Sequence, residues 1–92
     1  MWHLVQYSEC SKYGLIEAPS LDSIPTRLCR TPYGAFAVNS ILTLTTQTVL
    51  EEPDFDWTLN QWLTEAKVNI IESFEADDPL IDLPNLFPEH YL

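Results

Sequence analysis

Basic residues are scarce in this chain of 92 residues, in which 4 lysines and arginines face 14 aspartates and glutamates. The formal net charge at pH 7 is −10. Nucleic acids and anionic membranes both attract cationic surfaces, so this composition argues against direct binding to either. No apolar run approaches the roughly 18 residues that span a bilayer, and the N-terminus lacks the basic and apolar regions of a secretory signal. We therefore expect a cytoplasmic protein.

Glycine, cysteine and histidine, on which many catalytic and metal sites depend, are equally rare, with two of each. Two glycines do not supply a phosphate-binding loop, and the sequence has no G-x-S-x-G motif. Cys10, Cys29, His3 and His90 equal the four ligands of a structural zinc site, but their spacings match no zinc motif. Adjacent acidic pairs are expected by chance in so acidic a chain. We predict a protein without catalytic activity, metal or cofactor. We expect its two thiols to be reduced, and a single disulfide between Cys10 and Cys29 is the alternative.

The net charge belongs to one half of the chain. Residues 1–50 contain three acidic and three basic residues, whereas residues 51–92 contain eleven acidic residues and a single basic one, Lys67. The excess of negative charge therefore lies entirely in the last 42 residues. This distribution predicts that the second half of the chain carries the electrostatic field of the protein.

The N-terminal third of the chain contains two candidate strands. Residues 2–7 combine aromatic and β-branched side chains, which favour strands. A segment at residues 8–14 that is typical of a turn separates them from a short second candidate strand at residues 15–17. Residues 18–31 contain two prolines and several serines and threonines. We predict irregular structure for that segment, with one helical turn at residues 20–24.

Residues 32–50 fit two structures. Their threonines favour strands, because β-branched side chains lose rotamer freedom in a helix. In that case residues 33–38 and 41–49 would form a hairpin. Against this, Thr31 and Pro32 suit the start of a helix, and the apolar residues that follow share one helical face. We favour the hairpin.

The strongest local signal is a helix start at residue 58. Thr58 and Gln61 have the spacing of a capping box, and Trp57 and Trp62 occupy the two positions of a hydrophobic staple. The apolar residues that follow keep helical spacing. The sequence therefore predicts an amphipathic helix over about residues 58–75. Its apolar stripe is expected to pack in the core, and binding to a partner groove is the alternative.

The last 14 residues contain three prolines and many large apolar side chains. The prolines predict an extended, polyproline-like course, and the apolar content is unlike that of a disordered tail. We therefore predict a compact acidic domain over residues 1–78 and an extended tail over residues 79–92. The tail would pack either on its own domain or on a partner.

The acidic residues at the end of the predicted helix oppose the helix dipole. They serve either solubility or the attraction of a cationic partner. We predict the second role, for a protein partner with a basic surface. The acidic face would consist of Glu51, Glu52, Asp54, Asp56, Glu65, Glu72, Glu75, Asp77 and Asp78, and the apolar anchors of Trp57, Leu83, Leu86, Phe87 and Tyr91.

The sequence thus predicts a small α+β domain with short antiparallel strands in its N-terminal half, covered by the helix of residues 58–75 and an extended tail. The function we expect is that of a phage- or mobile-element-type inhibitor that occupies the nucleic-acid-binding surface of its target. The alternative is an accessory subunit of a virion or another large assembly, docked through its C-terminal arm. A homo-oligomer is compatible with either function.

Overall fold

The computed structural model describes residues 1–8, 12–30, 41–54 and 56–90, and these contain five strands and three α-helices. Every pair of neighbouring strands is antiparallel. The protein is therefore a single α+β domain, as predicted. The elements are β1 (Trp2–Tyr7), β2 (Tyr13–Glu17), β3 (Arg27–Arg30), α1 (Ile41–Gln47), β4 (Val49–Glu51), α2 (Leu59–Glu65), β5 (Val68–Phe74) and α3 (Pro79–Leu86), followed by a 3-10 turn at Pro88–His90.

The five strands form one sheet in the order β4–β3–β2–β1–β5. The first four follow the chain from β1, which lies next to one edge, across the sheet to β4 at the other edge. Strand β5 instead returns to the other side of β1, where Phe74 pairs with Trp2 and Val68 with Tyr7. The C-terminal half of the chain is thereby built into the sheet of the N-terminal half.

Alternation along β1 divides the core into two clusters, one on each face of the sheet. Trp2 and Leu4 point to the first face, where α1 and α3 cover them, and Val5 points to the second face, which α2 covers. The first-face cluster contains Trp2, Leu4, Leu15, Cys29, Ile41, Leu44, Phe74 and Leu83. The second-face cluster contains Val5, Ile16, Ala18, Leu28, Leu59, Trp62 and Val68. Both faces are therefore buried.

Burial on both faces of the sheet explains why the sequence does not predict β3. Strand β1 lies where the sequence predicts it, and β2 begins at Tyr13, two residues before its predicted start. Strand β3 lies inside a segment for which we expected irregular structure. Its two central residues, Leu28 and Cys29, point to opposite faces and are both buried. A four-residue strand that is covered on both sides shows no alternation of apolar and polar residues.

The hairpin predicted for residues 32–50 is wrong over residues 41–47, which form α1. Its other strand, 33–38, lies outside the described residues. Ile41 and Leu44, one helical turn apart, are both buried on the first face. The hydroxyls of Thr45 and Thr46 donate to the carbonyl of Leu42 at 2.9 and 3.0 Å, so these threonines are satisfied within the helix.

The helix predicted over residues 58–75 starts correctly and ends much too late. The Thr58 hydroxyl accepts from the Gln61 amide at 3.3 Å, the Gln61 side chain accepts from the Thr58 amide at 2.9 Å, and the Trp57 and Trp62 rings contact edge to face at 5.1 Å. These contacts confirm the capping box and the staple. The helix ends because Lys67 takes a left-handed conformation, with φ of 54°, after which the chain reverses into β5.

A β-bulge makes β5 resemble a helix in sequence. Val5 pairs with Ile70 and Leu4 with Glu72, so Ile71 is an extra residue in the strand. Ile70 packs with the second-face cluster and Ile71 with the first-face cluster. The two adjacent isoleucines therefore serve opposite faces of a sheet, although their spacing also fits one helical stripe.

The loop between β2 and β3 holds the start of α2. The amides of Leu59 and Asn60, which have no partner inside the helix, donate to the carbonyls of Ser23 and Leu21 at 3.0 and 2.9 Å. The Asn60 side chain also donates to Asp22 at 3.1 Å. Because the capping box takes the next amide, the N-terminus of α2 is fully used by its own chain.

The extended tail predicted for residues 79–92 is wrong over residues 79–86, which form α3. Asp78 begins this helix by accepting from the amides of Leu80 and Ile81. Pro79 takes the first helical position, where no amide partner is needed. Pro84 removes only one hydrogen bond from the helix. Leu83 is fully buried in the first-face cluster, so this segment packs on its own domain.

Candidate functional site

The nine acidic residues of the predicted face separate into two groups. The β4-side acids adjoin β4 along the chain and comprise Glu51, Glu52, Asp54 and Asp56. The β5-side acids lie in β5 or beside its ends and comprise Glu65, Glu72, Glu75, Asp77 and Asp78. Strands β4 and β5 are opposite edges of the sheet, so about four strand spacings, or roughly 19 Å, separate them. The structure therefore does not bring the nine residues together on one edge.

The β4-side acids are partly neutralised by Arg30 of β3. Its guanidinium contacts the Glu51 carboxylate at 2.5 Å and lies 4.0 Å from that of Asp54. The Arg30 side chain is half-exposed, so these ion pairs add little to stability. They nevertheless reduce the negative charge that the β4 edge presents to a partner.

The second arginine, Arg27 of β3, contacts Glu17 and the ring of Trp2. Its guanidinium donates to Glu17 at 2.8 Å and lies 5.3 Å from the centre of the Trp2 ring, within the range of a cation–π contact. The hydrogen bond from Arg27 lowers the pKa of Glu17, and the Thr26 hydroxyl contributes in the same direction. Both arginines of the described chain are thus engaged with carboxylates away from β5.

The β5-side acids are exposed, and one of the five forms an ion pair with the part of the chain that the structure describes. The Met1 amino group lies 3.9 Å from the Glu75 carboxylate, and both groups are open to solvent. Asp78 caps α3. Glu65, Glu72 and Asp77 are exposed and form no ion pair with the residues that the structure describes. This edge of the sheet therefore holds the largest group of carboxylates without a counter-charge from the described chain.

Most of the predicted apolar anchors contact their own chain. Trp57 is half-buried against Trp62, and Phe87 is half-buried with its ring 5.5 Å from that of Phe74. Leu83 is fully buried and is not accessible to a partner in the folded domain, whereas Leu86 is 43% exposed. Tyr91 lies outside the described residues.

Sequence reasoning missed the most exposed large apolar side chain of α3. Ile81 is 67% exposed, because α3 turns only one side toward the first face. The spacing of Leu80, Leu83 and Phe87, which contact the core, would have placed Ile81 on the outer side of a helix. That signal was available only if the segment had been predicted as helical.

Two buried groups could in principle carry chemistry, and neither is disposed to do so. Burial raises the pKa of the Cys29 thiol to about 12, so this side chain remains a neutral core residue at physiological pH. His3 is 8% exposed, and its Nδ1 lies 2.8 Å from the Ser73 hydroxyl. Its Nε2 has no hydrogen-bond partner in the described part of the chain. Burial lowers the pKa of His3.

We expect the buried histidine to make the domain less stable in mild acid. Because burial lowers the pKa of His3 in the folded state, the unfolded chain takes up the proton first as the pH falls. The stabilisation that comes from neutral His3 is complete above the pKa of this histidine in the unfolded chain. It is lost as the pH falls from that pKa toward the lower pKa of the folded state. Denaturant unfolding at about pH 7.5 and about pH 5.5 should therefore show a smaller free energy of unfolding at the lower pH.

The matched variants are His3→Gln and His90→Gln. His3→Gln should reduce the pH dependence in this window, and His90→Gln measures the share of the second histidine. An unchanged pH dependence in His3→Gln would show that the neutral ring of His3 is not what links stability to pH.

Among residues 1–8, 12–30, 41–54 and 56–90, no cluster of three or more histidine, cysteine or acidic side chains is arranged to hold a metal ion. None of the helices in these ranges has the length and apolar character needed to cross a membrane. Comparisons with protein-family models, with curated proteins and with solved structures found no match to this chain.

Proposed function

We propose that this protein acts through contact with another protein, as an antagonist whose carboxylates occupy the nucleic-acid-binding surface of its target. The observation that carries the proposal is the β5-side group, with Glu65, Glu72 and Asp77 exposed and unpaired within the described chain. Clustered carboxylates resemble a phosphate backbone in charge and steer a protein onto cationic surfaces.

The arrangement of charges favours this function over solubility alone. Solubility needs a net charge away from zero, which acidic residues anywhere on the surface would supply. Here both arginines pair with Glu17 and with β4-side acids, whereas Glu65, Glu72 and Asp77 form no ion pair with the described chain. A cationic surface that covers the β5 edge would supply these counter-charges, which would add to the affinity.

The alternative, an assembly subunit docked through an extended C-terminal arm, finds less support. The helix α3 occupies most of that segment, and Leu83 completes the core of its own chain. This segment could reach a partner as an extended arm only if Leu83 left the first-face cluster. We therefore retain the acidic antagonist as the proposed function.

Two charge-reversal variants test the proposal. Glu72→Lys combined with Asp77→Lys alters the β5 side, and Asp78 is left unchanged because it caps α3. Glu52→Lys combined with Asp56→Lys alters the β4 side by the same charge and is the matched control. Tagged protein is used to capture partners from a nuclease-treated lysate of the organism that encodes it, at low and at high salt.

We expect capture of a nucleic-acid-binding protein that is lost at high salt, since salt screens exposed charge pairs. The β5-side variant should lose at least about tenfold in affinity, or about 1.4 kcal/mol, while the control keeps most of it. Added duplex DNA should compete with the antagonist for the captured protein. Capture that survives high salt, or that neither variant weakens, would argue against this function.

A further inference from the structure

Strand β5 is an open edge of the sheet. It is seven residues long and pairs with β1 on one side. On its other side, no strand of the described chain is paired with it. An open edge presents unpaired main-chain amides and carbonyls, which an additional strand can bind.

Three hydrogen bonds identify the main-chain groups that face outward. Ser8 donates to the Lys67 carbonyl at 2.9 Å, which shows that Ser8 and Lys67 form a hydrogen-bonded pair between β1 and β5. The Tyr7 amide donates to the Lys12 carbonyl at 2.8 Å, and the Met1 carbonyl accepts from the Ala18 amide at 3.0 Å. The main-chain groups of odd-numbered residues in and beside β1 therefore point toward β2. The even-numbered residues of β1 therefore bond toward β5.

This alternation assigns each residue of β5 other than the bulge residue Ile71 to one side. Asn69, Glu72 and Phe74 pair with even-numbered residues of β1 and direct their amides inward. Val68, Ile70 and Ser73 pair with odd-numbered residues, so their amides and carbonyls point to the open edge. The His3–Ser73 side-chain contact at 2.8 Å agrees with this assignment, because side chains are closest in non-hydrogen-bonded pairs.

The charge around this edge selects the chemistry of the strand that can bind. Glu72 is the one charged residue within β5, Lys67 precedes the strand, and Glu75 and Asp77 follow it. A second copy would bring a formal charge of −10 against the −10 of the first, which opposes pairing of β5 with itself. A strand that carries lysine or arginine would instead place cations opposite Glu72 and near Glu75 and Asp77. The acids thus oppose self-association and favour a basic strand.

We propose that an extended segment rich in lysine and arginine binds β5 by strand addition, with main-chain hydrogen bonds to Val68, Ile70 and Ser73. The charge of this partner segment rests on the proposed function, whereas the mode of binding rests on the pairing of β5. Main-chain bonding supplies affinity, and the β5-side acids supply the preference for a basic chain. The antagonist would then capture a flexible basic segment of its target.

The test uses a synthetic peptide of five Lys-Thr repeats and amide hydrogen exchange of the full chain, followed by NMR. At saturating peptide and low salt, we expect exchange at Val68, Ile70 and Ser73 to slow by at least about tenfold, since new hydrogen bonds protect amides. The amides of Asn69, Glu72 and Phe74 already face β1 and should change little. A peptide of the same sequence that is N-methylated at every residue has no main-chain donor on either edge, so it is the control and should give no protection.

The possible outcomes separate the mode of binding from the function. Peptide binding that leaves Val68, Ile70 and Ser73 unprotected would overturn strand addition but keep the charge-based antagonist. Equal protection by the N-methylated peptide, or no binding of either peptide at low salt, would also overturn strand addition. Protection that arises without peptide, together with a dimer in sedimentation, would show that a second copy occupies the edge and would overturn the basic partner.

Discussion

Leu83→Ala is expected to lower the free energy of unfolding by about 3 kcal/mol, within the range measured for leucine truncation in protein cores. Leu83 is fully buried and joins α3 to the first-face cluster beside Trp2 and Leu44. Its removal leaves a cavity among these buried side chains, which relax only partly into it. The loss is a large share of the 5–15 kcal/mol that typically stabilises a domain.

The matched control for this prediction is Ile81→Ala, on the same helix and two residues away. Ile81 is 67% exposed, so its truncation should change the free energy of unfolding by no more than about 0.5 kcal/mol. Denaturant unfolding followed by circular dichroism measures both variants. Equal effects of the two substitutions would mean that α3 does not contribute Leu83 to the core in solution.

Trp2→Ala is expected to cost about 4 kcal/mol, comparable to other aromatic truncations in cores. The indole is fully buried in the first-face cluster and also lies under the Arg27 guanidinium. Trp2 pairs with Glu17 on one side and with Phe74 on the other. Its loss therefore weakens the packing of three neighbouring strands.

The conservative variant Trp2→Phe separates packing from polar contacts. The indole Nε1 of Trp2 is buried without a hydrogen-bond partner among the residues that the structure describes, so a phenyl ring gives up no hydrogen bond. We expect Trp2→Phe to cost less than about 1.5 kcal/mol in urea unfolding. A cost close to that of alanine would show that the indole nitrogen has a partner that stabilises the fold.

Local signals predicted the starts of elements better than their identities or ends. The capping box at Thr58 depends on contacts within four residues, so the sequence alone was sufficient to find it. The end of that helix depends on Lys67 adopting a left-handed conformation. A lysine in the sequence does not predict that conformation, because residues other than glycine adopt it rarely. The identity of β5 depends on its pairing with β1, which is a contact between distant parts of the chain.

The candidate site was predictable in composition and not in position. The sequence shows that the acidic residues belong to the second half of the chain. It does not show that β4 and β5 lie at opposite edges of the sheet, because strand order depends on how distant segments pair. Leu83 was likewise expected at an interface, since an apolar residue between two prolines gives no local indication that a helix carries it into the core.

The return of β5 to the side of β1 has a consequence for biosynthesis. Of the described strands, β1 is synthesised first, and its partner β5 follows only after some sixty further residues. Until then one edge of β1 is bare, and the first-face cluster lacks both Phe74 and Leu83. Such non-local pairing slows folding and exposes unpaired strands to aggregation. We therefore expect nascent chains that stop short of α3 to depend on chaperones and to be preferred substrates for proteolysis.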